Sequence, residues 1–374
     1  MHESSAQRQL QDATSAAERG DLAAAAVLAA RSAERFGACP DGANARALAA
    51  ACLQCQGRLD EAQEHIGRAL EILAPLVALA DVPADCARLH GTLVVTGASI
   101  QIDRGAYVDA LGAIQDLLAT SSTARTAADT FAAAMTGGVA AKALGRHADA
   151  RALYRIAETA CEAGELGGEA RAALDHNLAG LEHASGEAAA ARPHAEAALA
   201  WRARQARNAT HDRDVAVEQA ALAAILVDLD DCEAAAALLT AAIDTFAAVG
   251  AHDPLDLGAA HHNLAEGLRR RGDHERARAA FDDALIEKSA ALGGSHPEVA
   301  VTLASSAAHL AELGHDREAR TRATAAVRIL ASAAPGHPAR AIAQAVLDGS
   351  AVERRGGSRP GATTSAGDQS SYLV

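Results

Sequence analysis

Aromatic residues make up only 2% of the 374 positions, so the large ring clusters that anchor many globular cores are missing. β-Branched residues are sparse as well, which excludes a sheet-dominated fold, because strands draw on both classes. Lysine is nearly absent, represented by Lys142 and Lys288, and the formal charge is −14. Phosphate binding needs clustered cations, and the arginines here are scattered among carboxylates, so no nucleic-acid partner is expected. No apolar run approaches the roughly 18 residues needed to span a bilayer. The opening MHESSAQRQLQD lacks the basic and apolar regions of a secretion signal, giving the expectation of a cytoplasmic protein with no membrane partner. The six cysteines are irregularly spaced and form no disulfide framework. Cys52 and Cys55 make a single CxxC, without the second pair of a zinc site or the βαβ setting of a redox site.

Catalytic signatures are absent too: there is no GxSxG, Walker A, GxGxxG after a strand, or HExxH. Ser295-His296 and Asp282-Asp283 are neighbours in the chain, without the convergent geometry that acid–base or nucleophilic work requires. The 16 histidines raise the question of metal. His176 and His183 are separated by about 10.5 Å of helix, too far for one zinc with bonds near ~2.0–2.1 Å. His261 and His262 point about 100° apart on a helix. The sequence thus implies no catalytic residues, no metal and no cofactor, with an unrecognised activity in a groove as the least favoured reading.

What is present is alanine and leucine in quantity, with Arg and Glu, all strong helix formers, and half the chain is apolar. The chain is expected to be all-α. The stretch His262–Ala284 reads as two amphipathic helices joined by a turn at Gly272-Asp273, and the same pattern returns along the sequence. Turns fall at Gly20, Gly57, Gly105, Gly145, Gly186, Asp230, Gly272 and Gly314, on average 42 residues apart. Five residues after each stands an alanine: Ala25, Ala62, Ala110, Ala150, Ala191, Ala235, Ala277 and Ala319. Seven residues before each stands Ala13, Ala50, Ala98, Gly138, Ala179, Ala223, Ala265 or Ala307, small where paired helices approach closely. Nine after the turn a larger apolar residue recurs, as Ile66, Ile114, Tyr154, Leu239 and Phe281. With the residues at +5 and +12 it forms one stripe, the face the second helix buries.

This small–turn glycine–Ala–aromatic–Ala pattern resembles the tetratricopeptide repeat. The 42-residue period and the phrases HNLA and GGSHPEVA are similar to the longer variant of kinesin light chains and many bacterial proteins. The resemblance covers about residues 4–348. It implies a right-handed α-solenoid of about eight helix-turn-helix repeats whose first helices line a concave groove. Pro40, Pro254, Pro297 and Pro338 open first helices, where a missing N–H costs nothing. Two features depart from the pattern. The long interval between Gly57 and Gly105 holds Pro75 and Pro83, predicting a longer loop near 75–85, and Pro193 predicts a second helix that starts late, near Arg192, or is kinked. Residues 1–348 form the array, capped by a helix over 338–348, and the Gly/Ser/Thr-rich stretch 349–374 is expected to be disordered.

In that array His262, Asn263, Glu266 and Arg269 project opposite the buried stripe of their helix. His176, Asn177 and His183 stand at matching positions in repeat five, and Lys142 in repeat four. Asn disfavours helix interiors, and related repeats use this Asn to hold a bound peptide's backbone through a carboxamide that donates and accepts together. The eight residues are the candidate contacts to a partner protein or peptide. The leading expectation is an adaptor that binds an extended segment of a partner. The alternative is a peptide-responsive regulatory sensor acting in trans on a signalling or transcription partner.

Overall fold

A computed structural model describes residues 2–79, 81–120, 124–206, 211–249 and 254–349. Among the described residues it holds seventeen helices and no strand. They run as consecutive antiparallel pairs: α1 His2–Glu18 with α2 Leu22–Phe36, α3 Pro40–Cys55 with α4 Leu59–Val77, α5 Ala84–Asp103 with α6 Tyr107–Ala119, and α7 Ala127–Ala143 with α8 His147–Ala163. Then follow α9 Gly167–Ala184 with α10 Ala188–Ala203, α11 His211–Asp228 with α12 Cys232–Val249, α13 Pro254–Arg270 with α14 His274–Leu292, and α15 Pro297–Glu312 with α16 Asp316–Ala333. A last helix, α17 Pro338–Leu347, packs on α15 and α16. The stretch 350–374, expected to be disordered, lies outside the described residues.

All eight anchor residues sit in the turns that join the paired helices, and all take positive φ, from +66° at Asp230 to +83° at Gly186. At each, the turn residue donates to the carbonyl three back, and the next N–H donates to the one five back, as in Asp273 N–H to Leu268 O at 2.9 Å. This is the Schellman arrangement, which satisfies the open carbonyls of a helix end. Asp230 holds the same turn without being glycine, because short polar side chains tolerate the left-handed region. The small residues and alanines flanking the turns are fully buried where each pair crosses. In repeat four the small residue is Gly138, which makes room for the ring of Tyr154.

Two expectations are refined. α4 ends at Val77 and α5 begins at Ala84, so the longer connection falls inside the expected range, but α4 runs through Pro75 over 19 residues and α5 is 20 residues long, and helix takes up the rest of the interval. Neighbouring helices supply the packing that sustains the extra turns, and proline near a helix end costs little more than one hydrogen bond. Likewise α10 starts at Ala188 and carries Pro193 in its interior. Ala190 and Ala191 N–H both donate to Glu187 O, at 2.9 and 3.0 Å, so the first turn forms before the proline is reached.

The chain divides into two compact units inside α7: unit 1 ends at Gly137 and unit 2 begins at Gly138. Each has its own interior. In unit 1 it centres on Ile66, Leu73, Leu93 and Ile100, and in unit 2 on Leu239, Phe246 and Phe281 among many alanines.

Candidate functional site

In unit 2 the eight residues singled out from the sequence are turned inward, and most serve as ties between successive first helices. His176 of α9 lies with Nδ1 2.9 Å from Glu218 of α11, and His183 with Nε2 2.8 Å from Asp228. One repeat on, the Asn263 carboxamide donates to Ala220 O at 3.4 Å, joining α13 to α11. His262 Nδ1 lies 3.1 Å from Thr302 Oγ1 of α15, and Arg269 donates both to Glu266 at 2.9 Å and to Glu312 of α15 at 3.0 Å. Asn177 differs, donating only to Ala173 O of its own helix at 3.3 Å. Lys142 is buried near Gly180 of α9.

The sequence reading missed the partners. Glu218, Asp228, Thr302 and Glu312 each lie 40 to 45 residues from the group they bind, one repeat away. Matching every His or Arg with a polar residue one period later would have found them.

Burial dominates the electrostatics of these ties. It drives His262 down to about 3, with Lys288 adding to the effect, so the imidazole is neutral and packs edge-on to Phe281 at 5.6 Å. Glu266 is buried too, which pushes its carboxyl up, yet Arg269, His262 and a hydrogen bond from Ser305 carry it down to about 2. Burial pushes Lys142 down to about 8 against the pull of Glu298. Paired charges of this kind hold a register, because removing either partner strands the other in a poorly solvated interior.

In unit 1 Gln54 of α3 likewise ties to α5, donating to Ser99 Oγ at 2.9 Å and Asp103 Oδ2 at 2.6 Å, but an open groove remains. The first helices α1, α3 and α5, with the start of α7, line this groove of about 1000 Å³, at the upper end of ordinary ligand pockets. The floor is small and aliphatic, with Leu10, Leu48, Ala51, Gly91 and Val95. Most hydroxyls in it are spent on their own helices: Thr14 donates to Leu10 O and Thr92 to Arg88 O. Arg125 caps α6 through Thr120 O at 2.9 Å, and Asp129 accepts from Thr126 N–H at 2.9 Å. Asn44 is exposed in the groove wall, and among the described residues nothing holds its carboxamide. Cys52 and Cys55 also line it, and burial raises both thiols above their ordinary range, that of Cys52 to about 11. Neither is poised as a thiolate nucleophile.

Paired helices with left-handed turns at a 42-residue mean spacing, small residues at each crossing and, in unit 1, first helices lining a groove define a helical-repeat array. The chain matches the profile of the tetratricopeptide repeat over residues 256–332. Its fold is similar to that of a Rap protein solved in complex with competence and sporulation factor: TM-score 0.60, 13% identity, 82% of this chain and 81% of that one covered. A tetratricopeptide repeat protein from Parabacteroides merdae aligns over 75% of this chain and 92% of its own at 15% identity, with TM-score 0.49. A search of curated proteins gives no match. None of the described helices is long and apolar enough to cross a membrane.

Proposed function

We propose that the chain is a cytoplasmic adaptor that holds an extended segment of a partner protein in the groove of unit 1. The observation that carries this reading is the contrast between the units. In unit 2 most of the polar groups singled out on the first helices are engaged in ties between repeats. In unit 1, beside the Gln54 tie from α3 to α5, the first helices leave an open groove with the Asn44 carboxamide unengaged among the described residues. One carboxamide clamp contributes on the order of 1 kcal/mol, against about 8 for micromolar binding. Aliphatic side chains of the partner, seated between Leu48, Val95 and their neighbours, must supply most of the affinity.

Gly91 provides the test. A β-carbon there would meet only Leu117 Cδ1 at 4.0 Å, so Gly91→Ala is accommodated while Gly91→Leu projects into the groove. Proteins retained by the full chain in pull-downs are compared by mass spectrometry. A partner held by wild type and the Ala variant and lost from the Leu variant supports the groove. Retention by all three, with loss on Asn263→Ala instead, would move the binding surface to the inward residues of unit 2.

A second reading, a peptide-responsive regulator acting in trans, is motivated by the Rap protein of similar fold, which was solved with its factor bound. In that reading His176, Asn177, His183, His262, Asn263, Glu266, Arg269 and Lys142 would meet a peptide only in an opened form of unit 2. Small-angle scattering of the full chain with and without a retained partner peptide separates the two: a shifted profile favours the regulator, an unchanged one the passive adaptor.

A further inference from the structure

In unit 2 the turns at Gly145 and Gly336 meet at one seam. The turn after α7 presses on the turn before α17: a β-carbon on Gly145 would stand 2.6 Å from Gly336 O, and one on Gly336 would stand 2.7 Å from Leu144 O. Beneath this backbone contact lies a charge cluster. The chain has two lysines, both buried, and both feel the same carboxylate, Glu298 of α15. Lys288 Nζ of α14 lies 3.5 Å from Glu298 Oε2, and Lys142 comes from α7 on the other side of the seam.

Two imidazoles complete the seam. His337 caps α17, its Nδ1 accepting from Ala339 N–H at 3.2 Å. Facing it are Glu298 of α15, His147 of α8 and Lys288 of α14. His147 opens α8 with Nδ1 3.2 Å from Ser185 Oγ of α9, and faces Lys142 of α7, Arg151 of its own helix and Glu182 of α9. Protonating His337 at Nδ1 removes the lone pair that caps α17. Protonating both places two cations together beside two ammonium groups, with Glu298 and Glu182 as the nearby carboxylates.

We propose that this seam is a reversible clasp, closed at neutral pH and opened in mild acid by protonation of His147 and His337, which frees the α17 end of unit 2 from α7 and α8. Burial, the largest cause for each, holds both imidazoles below their ordinary range, so the closed seam binds fewer protons than the open one. Closure is therefore complete above about pH 6.5 and is lost as pH falls below that value. An open clasp uncovers the interior that the ties between repeats otherwise fill, giving the array a state that depends on proton concentration.

The test is amide hydrogen exchange of the full chain at pH 7.5 and 5.5, read by mass spectrometry and corrected for the intrinsic pH dependence of exchange. Segments 141–147 and 334–340 are expected to exchange at least about tenfold faster at pH 5.5, the factor that linkage gives one imidazole about one pH unit below its free value. The turn at Gly272-Asp273 stays unchanged. The double variant His147→Gln, His337→Asn keeps a capping side chain on α17 but cannot titrate, and its seam is expected to stay protected at both pH values. Glu298→Gln is expected to open the seam at pH 7.5. A wild-type seam equally protected at both pH values, uniform acceleration across all of unit 2, or acid opening that persists in the double variant overturns the proposal.

Discussion

A β-carbon on Gly138 would stand 2.6 Å from Cζ of Tyr154, so the missing side chain of one residue is the space occupied by the ring of the other. Helix propensity alone predicts that Gly138→Ala stabilises α7 by about 1 kcal/mol. The overlap reverses that sign, and a loss of about 1–3 kcal/mol is expected in urea unfolding. Gly138→Ala combined with Tyr154→Leu should recover most of it. Among the described residues the buried Tyr154 hydroxyl has no hydrogen-bond partner, so Tyr154→Phe should leave stability unchanged or raise it by about 1 kcal/mol.

The ties between first helices predict a contrast between two neighbours. His176→Ala takes a partner from Glu218, which is 2% exposed, and should cost about 1–3 kcal/mol. Asn177→Ala removes a bond within α9 and installs a better helix former, so its effect should stay within about 0.5 kcal/mol. Urea midpoints at pH 7.5 check both, and equal costs would mean that the tie to α11 contributes nothing.

His262 makes stability depend on pH. Burial lowers its folded pKa to about 3, against about 6.5 for a free imidazole. Between those values the unfolded chain binds the extra proton, so its contribution is fully present above about pH 6.5 and falls by up to ~1.4 kcal/mol per pH unit on acidification. In His262→Phe the Thr302 hydroxyl still donates to Glu298 O at 3.4 Å. The slope of unfolding free energy between pH 6 and 4 should be shallower in that variant by about one proton.

Asp230 is the one non-glycine among the eight turn anchors, at φ +66°. Left-handed backbone costs an L-residue about 1–2 kcal/mol, less for Asp, and glycine returns about 0.5–1 kcal/mol of that as unfolded-state entropy. Asp230→Gly should raise stability by on the order of 0.5 kcal/mol, measurable as a higher urea midpoint. A fall would show that the Asp230 side chain supports the turn.

Much of the architecture was legible because its causes are local. A left-handed turn needs glycine or a short polar residue, and a close helix crossing needs alanine or glycine, so both leave marks at fixed offsets such as Gly272 and Ala265. The face of α13 was read from the sequence as partner-facing, opposite the buried stripe, whereas His262, Asn263 and Arg269 are engaged with α15 and α11. Pro75 and Pro193 misled only about where α4 ends and α10 begins, because proline reports a lost hydrogen bond, while packing along both helices outweighs that loss.

By itself the sequence determined the repeat, its eight turns, a closing helix that begins at Pro338 and, for α13, which residues share the side opposite its Leu/Ala stripe. Tertiary structure alone decided whether that side meets open space or another helix. The pattern of one repeat says nothing about the angle and distance to the next, which depend on side-chain volume summed over both faces of many neighbours. In unit 2 that sum brings α11, α13 and α15 close enough for Asn263 and His262 to bridge them, with α15 buried almost all round. In unit 1 it leaves α1, α3 and α5 around a groove, where Asn44 stays exposed.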